Sequence, residues 1–331
     1  KDILGMPQGD KRKELFLNYV PQLFYNTKKG KVLLLGKAAT GKSSIKEVIF
    51  KGKDPSDLLN KSLTPTITLT PSVHSWLDLE LGIFDTVGQN FDDYLEKGKS
   101  QIMAFSNATV IIYLIDYAMW LNNSDLILED IKNIKEILER ELYISEFVLF
   151  LHKIDLIDEK NRAEKINQIE TEIQEKTNLP LYFTSIHPEL LYSLYDAFCH
   201  VIRQQSAQSS ILKETIDARI KELPKTLCFI TNEQNSIIVQ SMTSDFDYRR
   251  INYMHNLIAQ TNGVFESMKA TEQIKYFLLS TFDNFSINMK NLGLSDQGLK
   301  NIVCISHLRP DQQIRIVDDL SDVIKTKIKD L

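Results

Sequence analysis

Glycine is scarce in this sequence, 12 in 331 residues, about half the share of an average protein. Nine of the 12 lie at or before Gly98, and none falls between Gly98 and Gly263. Backbone freedom is therefore concentrated early in the chain, where a left-handed turn or a close approach would need it. Cysteine is equally sparse. Cys199, Cys228 and Cys304 are odd in number and far apart, with no C-x-x-C spacing, which excludes a disulfide framework and a zinc site and predicts buried thiols in a reducing compartment. Long apolar runs are absent as well. Val110 to Ile115 and Phe147 to Leu151 fall far short of the roughly 20 residues of a membrane helix. No secretory signal opens the sequence and no prenylation cysteine closes it, so the expectation is a cytoplasmic protein without direct membrane insertion. The net charge of −5, with no basic run beyond Lys11-Arg12-Lys13 and Lys28-Lys29, excludes nucleic acid as a partner. Finally, no arginine occurs between Arg12 and Arg140.

The length predicts about two domains. After a tail over residues 1–30, strand-like and helix-like segments alternate from 31 to 203, the pattern of an α/β domain with a mostly parallel sheet. Val32 to Leu35, Val110 to Ile115 and Phe147 to Leu151 read as central strands buried on both faces. Leu77, Leu79, Leu81 and Ile83 alternate with polar residues or glycine, which predicts a strand near an edge. A helix with one apolar stripe follows a cap at Asn123 or Ser124, and a more polar helix covers Glu159 to Lys176. The uncharged run 204–210 (QQSAQSS) reads as a linker. Residues 211–331 read as an α+β domain: helix Ile211 to Glu222, strands Thr226 to Thr231 and Ser236 to Ser241, helix Tyr248 to Gln260, strands Gln273 to Ser280, Asn284 to Met289 and Asn301 to Ser306, helix Gln312 to Lys329. Turns are expected at 232–235 and at Asn291-Leu292-Gly293.

Gly36-Lys37-Ala38-Ala39-Thr40-Gly41-Lys42-Ser43 matches G-x-x-x-x-G-K-[ST] between a strand and a helix, the context in which that pattern cradles phosphate. Backbone N–H groups and the helix N-terminus would bind the anion. Lys42 would bridge the β- and γ-phosphates, and the Ser43 hydroxyl would ligate Mg2+. Asp85-Thr86-Val87-Gly88-Gln89 closes the alternating strand. Alone it could be a tight turn; at its distance from Lys42 it reads as Asp85 holding Mg2+ through water, the Gly88 amide on the γ-phosphate and Gln89 orienting the attacking water. His152-Lys153-Ile154-Asp155 ends a later buried strand. The Asp155 carboxylate can accept both the N1–H and the exocyclic amine of guanine, a pairing adenine cannot supply. The Lys153 stem can lie over the base, and after Thr184 a backbone amide at Ser185 or Ile186 can meet the guanine O6.

With Gly41-Lys42-Ser43-Ser44, the D-T-V-G-Q and H-K-I-D segments and Thr184-Ser185-Ile186 in this order, the chain resembles the Rag/Gtr small GTPases, a branch of the Ras-like superfamily. Histidine at 152 stands where most small GTPases carry asparagine, and it is the mark of that branch. The resemblance implies a GTP/GDP switch with Mg2+, joined to a C-terminal roadblock-like domain whose element order the second half matches. It further implies a homodimer or a heterodimer with a paralogue through that domain, GAP and GEF regulators, and a roadblock-type scaffold at an endolysosomal or vacuolar membrane that holds the pair for nutrient signalling to the target-of-rapamycin kinase. Phe50 with Asp54-Pro55-Ser56 resembles the C/D type more than the A/B type. The first switch would occupy Gly52 to Thr70, with Thr66 closing on Mg2+ and Thr64 and Thr68 as alternatives; the second would run from Gly88 to about Lys99. Gly52 and Gly98 would loosen the switch edges. The rivals are a P-loop ATPase or nucleotide kinase, an Arf-like GTPase, and a nucleotide-retaining scaffold that does not hydrolyse.

Without an arginine between Arg12 and Arg140, neither switch nor the phosphate loop can supply an arginine finger in cis, a group worth about 10³ or more in rate. Intrinsic single-turnover hydrolysis is expected at about 10⁻⁴ to 10⁻² s⁻¹. A rate near ~1 s⁻¹ for the isolated protein would contradict this reading.

Overall fold

The computed structural model describes residues 29–60, 70–77, 79–85, 91–247, 275–282 and 285–329. Contacts divide them into two compact units. One holds the phosphate loop through Ser43 and the stretch Leu79–Tyr182; the other holds the helix from Ser44 and the described residues from Phe183 onward.

The first unit is built on a six-stranded sheet in the order β2-β3-β1-β4-β5-β6, with β1 Lys29–Leu35, β2 Thr70–Trp76, β3 Leu79–Asp85, β4 Val110–Asp116, β5 Glu146–His152 and β6 Leu181–Thr184. The apolar runs take the centre as expected. Leu33, Leu34, Ile111, Ile112, Val148 and Leu149 have no exposed surface, each contributing about 1.5–3 kcal/mol through burial. β1 pairs in parallel with β3 and β4, and β4 in parallel with β5; Leu34 lies opposite both Asp85 and Ile112. Parallel pairing brings the carboxyl ends of these strands to one side, so Leu35, Asp85, Asp116 and His152 all finish there. The alternating strand starts at Leu79 rather than Leu77 and lies one place in from the edge, because β2 covers it. β2 escaped the sequence pattern because Pro71 demotes a strand-like run; proline is tolerated there because β2 is the edge strand.

Helix α1 (Lys42–Lys51) follows the phosphate loop, and α2 (Pro55–Leu59) begins where Asp54 Oδ1 accepts from Ser56 N at 2.8 Å. In the first unit, α3 (Asp92–Leu95), α4 (Lys99–Phe105), α5 (Tyr117–Arg140) and α6 (Arg162–Thr177) surround the sheet sequence. The helix expected to start behind a cap at Asn123 or Ser124 begins earlier, at Tyr117 behind Asp116, and Asn123 is instead a kink inside α5 with φ −145° and ψ 39°. Beyond it Ile127, Ile131, Ile134 and Ile137 bury one stripe. At the start of β1, Lys31 donates to Met103 O at 2.7 Å and Ser106 O at 2.9 Å, covering the last carbonyls of α4, and lies 4.2 Å from the centre of the Phe84 ring. Burial pushes its ammonium down to about 7.

The second unit contains a five-stranded sheet in the order β8-β7-β11-β10-β9, with β7 Leu227–Thr231, β8 Ile237–Met242, β9 Tyr276–Ser280, β10 Ser286–Leu294 and β11 Leu299–Ser306. The pairings β7 with β8, β7 with β11, β10 with β11 and β9 with β10 are antiparallel. Helices α7 (Leu191–Arg203), α8 (Ala207–Ile220) and α9 (Pro310–Lys329) complete the described elements. Three sequence expectations shift here. The polar run 204–210 is already helical from Ala207, because Ser206 caps the helix by accepting from Ser209 N at 2.9 Å. β10 runs through Asn291-Leu292-Gly293 as a bulge rather than turning there, and the turn comes at Ser295–Gln297, which Gly298 closes with φ 73°. The helix expected over Tyr248 to Gln260 lies outside the described residues.

Gly52 is a contact glycine rather than a loose switch edge. With φ +61°, a Cβ on it would lie 2.0 Å from the backbone oxygen of Gln234. Both the left-handed conformation and the carbonyl oppose a side chain. Gly52→Ala is expected to destabilise the protein by about 3 kcal/mol, read as a lower urea midpoint. An unchanged midpoint would show that the turn before β8 yields.

Candidate nucleotide site

The loop between β1 and α1 is curled by three residues with positive φ: Gly36 at 150°, Ala39 at 62° and Gly41 at 99°. Gly36 sits under the backbone of β4. A Cβ there would come within 2.7 Å of Leu114 O and 3.1 Å of Thr40 Oγ1. Thr40 turns inward, fully buried, and its hydroxyl donates to Lys37 O at 3.0 Å. Lys42, 6% exposed, donates from Nζ to Gly36 O and Lys37 O, each at 2.7 Å. The ammonium is thus held across the mouth of the curl by the loop's own carbonyls. A loop curled in this way at the start of α1 is the kind that binds an anion through backbone N–H groups and the helix N-terminus.

The strand ends supply the second half of the site. His152, the last residue of β5, is 1% exposed and turns its Cδ2–Nε2 edge toward Gly41; a Cβ on Gly41 would meet the ring at 2.6 Å from Cδ2 and 2.9 Å from Nε2. Burial pushes the imidazole down to about 4, against the opposing pull of Asp155, so it is neutral at pH 7. Lys153 adopts φ 64° and reaches back across the loop. Its Nζ donates to Ala39 O at 2.6 Å and pairs with Asp116 Oδ2 at 2.6 Å. The other oxygen of Asp116 caps α5, accepting from Ala118 N at 2.8 Å and Met119 N at 3.2 Å.

The structure therefore brings Gly36, Lys37, Ala38, Ala39, Thr40, Gly41, Lys42 and Ser43 together with His152, Lys153 and Asp155, the middle residue of a short 3-10 turn over Ile154–Leu156. Asp85 ends β3 beside the loop in register with Leu34. Ser44 lies in the first turn of α1. Ser185 and Ile186 belong to the other compact unit, directly after β6, where Ser185 Oγ accepts from His187 N at 2.8 Å. Gly88, Gln89 and Thr66 lie outside the described residues. Asp116 was missed by motif reading. Its signal was present, an acid closing the uninterrupted apolar run Val110 to Ile115 at the start of a helix.

Two outcomes follow from the packing of His152. Gly41→Ala should abolish nucleotide retention, measured by the nucleotide content of the purified protein. The folded chain keeps His152 unprotonated down to about pH 4, whereas the unfolded chain protonates it from about pH 6.5. Its contribution to stability is therefore complete above about pH 6.5 and is lost as pH falls toward 4, amounting to about 2 kcal/mol between about pH 7 and about pH 5. Urea titrations of wild type and His152→Asn at the two values should differ by that amount; parallel losses would contradict it.

Comparison with known proteins identifies the family. The Gtr1/RagA G protein conserved region matches residues 31–284. GTP-binding protein GTR2 of Saccharomyces cerevisiae is 23% identical over 253 residues, covering 73% of this chain and 70% of that protein. GTP-binding protein GTR1 of the same yeast is 29% identical over 223 residues, 63% of this chain and 67% of its own. Ras-related GTP-binding protein A of Dictyostelium discoideum is 29% identical over 179 residues, 52% of this chain and 57% of that one. A phosphate loop tied to a His-Lys-Ile-Asp turn, in a chain matched from the first strand into the second sheet, belongs to a member of the Gtr1/RagA G-protein family.

Proposed function

We propose that the chain is a guanine-nucleotide switch that hydrolyses GTP slowly and pairs with a second Rag-like chain through its C-terminal domain. Guanine-nucleotide binding and GTPase chemistry come with the family; the finer assignments rest on this chain's residues. The observation that carries the reading is the double anchoring of the phosphate loop, by Lys42 from within and by His152 and Lys153 from the H-K-I-D turn.

Lys42 holds the β- and γ-phosphates, with the amides of the Gly36 to Ser43 loop around them. Asp155 accepts from the guanine edge, Lys153 lies along the base, and Ser185 or Ile186 offers an amide to O6. Ser43, Asp85 and Thr66 would hold Mg2+, which supplies charge neutralisation on the transferring phosphoryl group when bound. Gln89 orients water. With no arginine in reach of these positions in sequence, acceleration falls to a partner. The domain boundaries proposed are a tail over 1–30, a GTPase domain over 31–203, a linker over 204–210 and a roadblock-like domain over 211–331.

Two features support pairing. Among the described residues β9 is an outer strand of its sheet, a position that suits pairing with another chain, and Leu278 within it and Phe282 after it are exposed at 37% and 109%. Among the described residues no helix is long and apolar enough to cross a membrane. A cytoplasmic protein held by a roadblock-type scaffold at an endolysosomal or vacuolar membrane, reporting nutrient status to the target-of-rapamycin kinase, fits this reading.

Chromatography of nucleotide released from the purified protein should give GDP or GTP, and Lys42→Ala should come off the column empty. Adenine nucleotide in the site would overturn the reading. Gln89→Leu should leave nucleotide content intact while slowing turnover at least about tenfold; unchanged turnover would make the chain a nucleotide-retaining scaffold.

A further inference from the structure

Lys37 is the second residue of the phosphate loop, yet its side chain leaves the site. Its Nζ lies 3.1 Å from Asp130 Oδ2, and the Tyr113 hydroxyl donates to the same oxygen at 2.8 Å. Asp130 belongs to α5 and Tyr113 to β4, and their exposures are only 6% and 2%. Phe91 closes the cluster, its ring 5.8 Å from that of Tyr113 and 5.9 Å from Lys37 Nζ. Phe91 and Asp92 are the first described residues after the D-T-V-G-Q motif, and the Asp92 charge acts on both Asp130 and Tyr113. Burial raises the Asp130 carboxyl, while Tyr113 and Lys37 hold it down.

A buried acid with a half-exposed lysine is a poor way to gain stability. Desolvation of Asp130 offsets most of the Coulombic gain, and an apolar pair of the same volume would do as well. What the pair does supply is position. The carbonyl of Lys37 accepts from both Lys42 Nζ and Thr40 Oγ1, so the residue whose side chain is fixed by Asp130 is the one whose backbone aims the phosphate-binding ammonium.

We propose that Asp130 is a positioning residue for nucleotide binding: through Lys37 it latches the phosphate loop to α5 and to Phe91 and Asp92, within the segment read as the second switch. The latch has no direct contact with the anion. It sets the loop's carbonyls, and with them Lys42, and it ties the loop to Phe91 and Asp92, so that displacement of that segment loosens the grip on the phosphates. This rests on the guanine-nucleotide reading above.

The test uses the full chain loaded with fluorescent methylanthraniloyl-GDP and chased with unlabelled GDP. Failure of the wild type to load would count against the nucleotide reading itself; the latch is tested only by release rates among loaded proteins. Asp130→Asn and Lys37→Met should each speed release about tenfold, and the double variant should be no faster than the faster single one, because both remove one interaction. Asp130→Glu, which keeps the carboxylate, should restore release toward wild type, and Tyr113→Phe should fall between. A merely structural role would lower the urea midpoint without this non-additivity and without rescue by glutamate. Release within about twofold of wild type in both single variants, or rates that multiply in the double variant, would overturn the latch. Should Asp130→Asn fail to fold, Lys37→Met, altering a partly exposed side chain, decides alone.

Discussion

The contact between Gly41 and His152 sets the spacing on which the nucleotide site depends. A phosphate loop must approach its ligand with backbone, so it cannot be held from the ligand side; it has to be held from behind. Here an imidazole does the holding. Its Cδ2–Nε2 edge fills the space that any Cβ on residue 41 would need, and burial keeps it neutral, so no charge is trapped beneath the loop. Because His152 is also the last residue of β5, the register of the central sheet, through Asp116 opposite His152 and Leu34 opposite Asp85, is transmitted to the loop without a flexible link. Lys153 repeats the tie one residue later from the opposite direction, through Ala39 O.

The second unit solves a different problem. Its sheet is antiparallel where pairings are described, and buried polar residues fix its packing. Gln313 of α9 is fully buried and donates to Ser286 O, Cys304 O and Ser306 Oγ, each at 3.0 Å, pinning the helix to β10 and β11 at one register. Lys290 and Tyr276 both reach Asp318 on the same helix.

Much of this was legible in the residues. The three central strands and the loop between β1 and α1 follow from uninterrupted apolar runs and a motif in its proper context, whereas the cap expected at Asn123 or Ser124 is a kink within α5, which Asp116 caps. Signals failed where two rules competed. Pro71 argued against a strand, and the edge position of β2 overrode it. Asn291-Leu292-Gly293 looked like a turn, but Asn291 Oδ1 accepts from Gly293 N at 2.7 Å inside a bulge, so the same turn chemistry was spent without reversing the chain. Gly52 looked like a hinge because glycine permits motion; its actual reason, a carbonyl from a turn some 180 residues later in the sequence, is long-range and leaves no local trace. The same holds for Asp130. On a helical stripe it reads as a polar interruption between Ile127 and Ile131, and only the fold puts it against Lys37.

The absence of arginine from Arg12 to Arg140 has a structural counterpart beyond the missing finger. Four lysines in the first unit carry the tasks that fix its backbone: Lys31 on Met103 O and Ser106 O, Lys42 on Gly36 O and Lys37 O, Lys153 on Ala39 O and Asp116, and Lys37 on Asp130. Three of the four bind main-chain carbonyls, which are single acceptors pointing in unrelated directions. An ammonium, with three donors in a compact tetrahedron, can satisfy two such oxygens in a small space; a guanidinium, planar and forked, matches a carboxylate or phosphate better and would need a wider cavity. Lysine therefore suits the packing of this loop, where the acceptors are main-chain oxygens and the space is small.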